Sequence, residues 1–136
     1  MHRKSDTKLE LNDVAVIVIG RNEGARLIEC LESLQSSAGW IIYVDSGSTD
    51  GSQDAAMARS ADVVALDVQQ PFTAARARNA GLARLSEKAD QVTVVQFVDG
   101  DCTLHPDWIE TAHAFLVAHP KVVAVAGRLR EKNLNA

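Results

Sequence analysis

Much that would mark a secreted, membrane-spanning or nucleic-acid-binding protein is missing from this chain of 136 residues. Its two cysteines, Cys30 and Cys102, lie far apart and outside zinc-ligand spacing, so neither a disulfide framework nor a zinc site is encoded. The four histidines form no H-x-x-x-H or H-E-x-x-H pair, which removes the common helical metal motifs. No run of about 18 apolar residues exists to span a bilayer. The charged stretch 1–13 lacks the apolar centre of a secretory leader, so a reducing cytoplasmic setting is expected, or the inner face of a membrane in a longer parent. A net charge of -4 argues against nucleic acid as the main partner, because phosphate backbones call for a basic footprint. Basic residues cluster only locally, at Arg76, Arg78 and Arg84, and Arg84 reads as part of a solvated helix face.

What is present is apolar and ordered. Hydrophobic residues make up 46% of the chain, enough for the core of one domain. Residues 1–13 read as a polar tail and 14–136 as that domain. The run 14–19 is β-branched and does not alternate, as in a central parallel strand covered on both faces. After the turn 20–24 comes a helix with Leu27, Leu31 and Leu34 on one stripe, Ile28 beside them and Cys30 buried as a free thiol. The pattern then repeats. Strands are expected at 41–45, 63–67, 92–98 and 122–126. Helices are expected at about 53–59, about 73–88 and after Pro106, where Trp108, Ile109, Ala112, Phe115 and Leu116 are apolar. Alternation of this kind predicts an α/β, Rossmann-like, doubly wound and mainly parallel sheet that stops after about its fifth strand.

In such sheets ligands bind beyond the carboxyl ends of the strands. The polar residues of interest fall there: Asn22 and Glu23 after the first strand, Asp45 with Ser46 to Asp50 after the second, Asp99 and Asp101 after the fourth. Singly, each is ordinary turn or cap chemistry, and Ser48 or Asp50 can simply cap a helix. Together they bring three carboxylate-bearing loops to one rim. Gly100 lets Asp99 and Asp101 approach one point, where two like charges call for a cation. Mg²⁺ or Mn²⁺ takes such oxygen ligands and keeps phosphate oxygens as further partners, so a diphosphate leaving group would be stabilised there.

Four stretches, in order and at similar spacing, resemble family 2 glycosyltransferases. They are VAVIVIGRNEG at 14–24, VDSGSTDG at 44–51, ARNAG at 77–81, and DGD at 99–101 followed by Pro106-Asp107-Trp108. The resemblance covers about residues 14–130. It implies a GT-A fold that binds a UDP-, GDP- or TDP-sugar and transfers the sugar with inversion. It also implies that Asn22 and Glu23 line the first nucleotide loop and that Asp45 accepts a hydrogen bond from the base. Arg78 would sit near the base or diphosphate, with Arg76 competing for that place. Asp99 would lie near the ribose, and Asp101, with Asp99, would hold the metal. The family often has Asp-Asp-Gly-Ser after the second strand, where this chain has Asp45-Ser46-Gly47-Ser48.

The catalytic base and acceptor-side helix of the family have no counterpart expected within these residues, and nothing supports assigning Glu131. The acceptor stays open, a polysaccharide or lipid-linked glycan being the classes considered. Three rival readings follow. One is a non-catalytic nucleotide-binding fragment. Another is a phosphatase of the haloacid dehalogenase kind using Asp99, since 99–103 resembles D-x-D-x-T, although that signature opens its domain. The third is a dinucleotide-binding fold, which the missing G-x-G-x-x-G disfavours.

Overall fold

The structure, a computed structural model, describes residues 9–130. A short 3-10 turn at Leu11–Asp13 leads into β1 (Val14–Gly20), α1 (Ala25–Leu34), β2 (Trp40–Asp45) and α2 (Ser52–Ala58). β3 (Asp62–Ala65), α3 (Ala74–Lys88), β4 (Val94–Asp99) and α4 (Trp108–Ala118) complete the described elements. The four strands are all parallel, in the order β3-β2-β1-β4. The chain winds outward from β1 through β2 to β3, then returns to place β4 on the other side of β1. The crevice between β1 and β4 is therefore the switch point, the place where such sheets bind ligands.

Alternation along β1 divides the core into two layers. Val14, Val16 and Val18 face Leu27, Cys30, Leu31 and Leu34 of α1, with Ile109 of α4 in the same cluster. Ala15 and Ile17 face Ala77 and Leu85 of α3. Each fully buried leucine of α1 contributes roughly 1.5–3 kcal/mol, which exceeds what helix propensity supplies. The α3 layer is drawn in closely at Gly81, where an added Cβ would stand 2.4 Å from Ile17 Cγ2. Only a residue without a side chain lets the helix sit that near the sheet.

Three expectations are revised. Residues 122–130 form no strand, and Val123 and Leu129 are 93% and 86% exposed. An apolar run becomes a strand only when an edge pairs with it, and no described residue pairs with the outer edge of β4. The apolar side of α4 is largely uncovered: Ile109 is its one buried residue, and Phe115 is 46% exposed. That helix begins after Pro106, with Asp107 at its N-cap. The last part of the stretch read as a polar tail carries structure, since Leu9 packs on the core and Leu11 O accepts from Gly39 N at 2.8 Å. Glu131 lies outside the described residues.

Candidate active site at the carboxyl rim

Register aligns the three loops. Gly20 lies opposite Asp45, and Ile19 lies opposite Asp99. Ser46 N donates to Gly20 O (3.0 Å) and Gly100 N to Ile19 O (2.8 Å), so the loops leave the sheet side by side.

Asn22 joins the first two loops. Its N–H donates to Ser48 Oγ (2.8 Å), and its Oδ1 accepts from Thr49 N (2.7 Å). A φ of 52° lets the residue bend into this bridge, a conformation asparagine tolerates better than most side chains. Glu23 turns into the switch crevice, with its Cγ against the open spaces at Gly20 and Gly100. Its Oε2 is buried and 3.0 Å from Arg26 Nη2, but this contact is not aligned as a hydrogen bond. The charge of Glu23 is balanced by Arg26.

Asp45 is not at the open rim. The carboxylate that was to meet a base is 0% exposed, and both oxygens are occupied. Oδ1 accepts from Tyr43 Oη (2.6 Å). Oδ2 accepts from Gly47 N (3.2 Å), Ser48 N (2.9 Å) and Gln53 Nε2 (2.9 Å). Tyr43 and Asp45 are two apart on a strand, hence on one face. Burial alone would raise the Asp45 pKa, but hydrogen bonds from Ser48, Tyr43 and Gln53 outweigh it and hold the carboxyl below its ordinary range. Burial and the bond to Asp45 push the Tyr43 phenol up, so it stays protonated. Asp45 therefore shapes the 46–51 loop from beneath.

Asp99 and Asp101 have the opposite character. The Asp99 side chain is 60% exposed, with Arg78 Nη2 at 3.8 Å from Oδ1. Asp101 Oδ1 accepts only a weak bond from Cys102 Sγ at 3.4 Å. Cys30 Sγ approaches the Asp99 carbonyl at 3.9 Å, and Cys102 N donates to the same oxygen at 2.9 Å. Burial, then nearby negative groups, pushes the Cys30 thiol up to about 12; burial and the bond to Asp101 take Cys102 up to about 11. Both are free thiols and stay neutral.

The two α3 arginines differ in what their guanidiniums contact. The Arg76 guanidinium is spent on the carbonyls of Asp67, Gln70 and Pro71 at 3.1–3.3 Å. Arg78 faces Asp99. Arg84, expected on a solvated face, instead makes a bidentate pair with Asp62 at 2.9 Å on each arm, joined by Lys88 at 3.2 Å. Among the described residues, no group of three or more His, Cys, Asp or Glu side chains is placed to hold a metal. The Asp99–Asp101 pair alone would leave most of a hard cation's coordination sphere to ligand oxygens and water, which fits Mg²⁺ or Mn²⁺ bound with a phosphate. Cavities of about 240 and 210 Å³ lie at the other end of the strands, around Val14 and around Trp40.

Tyr43 and Gln53, which hold the Asp45 carboxylate, were missed in the sequence. For Tyr43, the two-residue spacing to Asp45 was the available signal.

A parallel α/β sheet with an exposed carboxylate pair beside its switch point is an architecture that takes its ligands at that rim. Comparison with known proteins narrows it. Residues 15–135 match the family described as Glycosyl transferase family 2. The chain belongs to that family. Two similar solved structures are of glucosyl-3-phosphoglycerate synthase from Mycobacterium tuberculosis. One is in complex with Mn²⁺, UDP and glucosyl-3-phosphoglycerate (26% identity, TM-score 0.58, covering 80% of this chain and 43% of that one). The other is in complex with phosphoglyceric acid (27% identity, TM-score 0.57, 79% and 42%). The chain thus spans less than half the length of these structures. No curated protein matches it. The fold is of the GT-A, Rossmann-like type, and the phosphatase reading falls: Asp99 follows the fourth strand of a glycosyltransferase sheet rather than opening a domain. No described helix is long and apolar enough to cross a membrane.

Proposed function

We propose that residues 14–136 form the donor-binding domain of an inverting glycosyltransferase that holds a nucleoside-diphosphate sugar across the β1–β4 crevice with Mg²⁺ or Mn²⁺. The observation that carries this is the rim itself: two exposed carboxylates on either side of a buried glycine, with the Arg78 guanidinium 3.8 Å from Asp99. The Mn²⁺ and UDP in a similar structure support the same ligand class.

In this reading Asp99 and Asp101 hold the cation, which when bound supplies charge stabilisation to the departing diphosphate. Arg78 places a second positive charge beside the same phosphates and, by pairing with Asp99, keeps that carboxylate turned toward the crevice. Glu23 accepts a hydroxyl hydrogen of the ribose or the sugar. Asn22, through Ser48 and Thr49, keeps the first two loops in register so that the donor meets one surface. Inversion follows when an acceptor oxygen attacks the anomeric carbon from the side opposite the breaking bond to diphosphate. Two free thiols suit a reducing, cytoplasmic setting.

Calorimetric titration of UDP, GDP and TDP with Mn²⁺, with Mg²⁺ and with a chelator tests the proposal. At least one nucleotide should bind with an affinity that the chelator removes. Failure of all three in the presence of Mn²⁺ would overturn it.

A further inference from the structure

The turn that carries Asp101 is fastened to α1 as well as to β4. Cys30 and Ser33 lie three residues apart on that helix, and so on one face of it. Cys30 Sγ reaches the Asp99 carbonyl at 3.9 Å, at the start of the turn. Ser33 Oγ accepts from Leu104 N at 3.1 Å, at its end. The same hydroxyl donates to Cys30 O at 2.6 Å, so its hydrogen is spent on the helix and a lone pair is left for the loop. Leu104 and Cys102 also pack on the core cluster to which α1 contributes.

Asp101 stands between these two fixing points, and its own side chain makes only the weak thiol contact. Two neighbouring carboxylates repel, so with no cation between them their separation is set by the backbone that carries them. Ser33 Oγ is the acceptor that ends the turn. Without it the Leu104 N–H loses its partner, and the stretch 101–104 loses its anchor on α1.

Resting on the donor reading above, we propose that Ser33 is a positioning residue for the cation: it holds the 101–104 turn on α1 so that Asp101 keeps a fixed spacing from Asp99. A pair held at one spacing is what a small cation of strict geometry requires. Mg²⁺ demands near-octahedral oxygens at about 2.0–2.1 Å, whereas Ca²⁺ accepts about 2.3–2.6 Å in looser arrangements. Ser33 thus acts on which cation serves the donor as well as on how tightly it is held.

The test is calorimetry of UDP with Mg²⁺, with Mn²⁺ and with Ca²⁺, on the wild-type chain and on Ser33→Ala and Ser33→Thr. Threonine keeps a hydroxyl that can bond the i−3 carbonyl of its helix and still accept from the loop. Ser33→Ala should weaken UDP about tenfold with Mg²⁺ or Mn²⁺, on the scale of outer-shell changes at metal sites, and by no more than about threefold with Ca²⁺. Ser33→Thr should bind UDP as wild type does with every ion. Unchanged affinity of Ser33→Ala with Mg²⁺ overturns the proposal. So does an equal loss with all three ions, which a disturbed core would give, and so does a threonine variant as weak as the alanine one. A wild-type chain that binds UDP with none of the ions overturns the donor reading, and this inference with it.

Discussion

Asp45 and Asp101 are the same residue type, Asp45 closing β2 and Asp101 two residues past β4, on one rim of one sheet. Their surroundings differ in nearly every respect. Four donors converge on Asp45, from a tyrosine, two backbone N–H groups and a glutamine, and no water reaches it. Asp101 is exposed and has a single weak thiol partner. A carboxylate whose bonding capacity is met internally can only hold structure, because a ligand would have to displace bonds already made. A carboxylate left open beside a second one has electrostatic repulsion to relieve and lone pairs to share. In the proposed donor reading, the loop after β2 is the frame and the loop after β4 the receptor.

The largest expected effect breaks the frame. Asp45→Ala leaves the Tyr43 hydroxyl, two N–H groups and the Gln53 amide without their acceptor, and orphaned buried groups are what make such losses large. Stability should fall by about 3 kcal/mol in urea denaturation. Asp45→Asn should cost about 1 kcal/mol, because its oxygen can serve Gly47, Ser48 and Gln53 while its amide donates to the Tyr43 hydroxyl, which can accept. Equal losses for the two variants would mean that volume, not hydrogen bonding, sets the role of Asp45.

Next in size is the contact that aims α3 at the receptor loop. Gly81→Ala gains roughly 1 kcal/mol of helix propensity, yet its methyl group would lie 2.4 Å from a branch methyl of the buried Ile17. Overpacking of that kind costs about 1–3 kcal/mol, so the clash should win and stability should drop by about 1 kcal/mol. If the contact is the cause, Ile17→Ala should cost less in the Gly81→Ala background than in the wild-type chain, a coupling that a double-mutant cycle measures. Additive losses would exclude it.

The frame was far more legible in the sequence than the receptor's wiring. Val14 to Ile19 announce a doubly covered strand because every side chain in the run is apolar, and burial on both faces admits no other pattern. The stripe of Leu27, Leu31 and Leu34 fixed the buried face of α1 in the same way. Hydropathy says nothing about pairing, and so residues 122–126 look like a strand although they pair with no edge of the sheet. Strand-end position told which rim Asp45 occupies but not that its carboxylate turns inward. The Arg84–Asp62 pair bridges 22 positions, and no local pattern encodes it.

A smaller effect on stability, but the sharpest on binding, comes from the receptor. Asp101→Ala should leave the denaturation midpoint close to wild type, within about 0.5 kcal/mol, since an exposed side chain with one weak partner holds little together. The Mn²⁺-dependent part of nucleoside diphosphate affinity should vanish, and the chelator should make no further difference. Retained Mn²⁺ dependence in this variant would remove Asp101 from the metal site. A large loss of stability would place it in the frame after all.

The smallest effect concerns acid. Asp45 has a folded-state pKa below its unfolded value, because the bonds it accepts outweigh the burial that would raise it. The native state therefore binds fewer protons than the unfolded state as pH falls past the ordinary aspartate value of about 3.9. The stability this carboxylate supplies is complete above that value and is lost as pH drops toward the folded pKa. Asp62 contributes with the same sign, chiefly through its bond from Arg84. Removing Asp45 alone should thus flatten the acid limb without abolishing it. Urea midpoints measured from pH 6 down to 3 should fall less steeply for Asp45→Asn than for wild type, the two curves converging as the pH drops. Parallel curves would mean that Asp45 gives up its proton no more readily in the folded chain than in the unfolded one, and its four donors would then be balanced by the burial that opposes them.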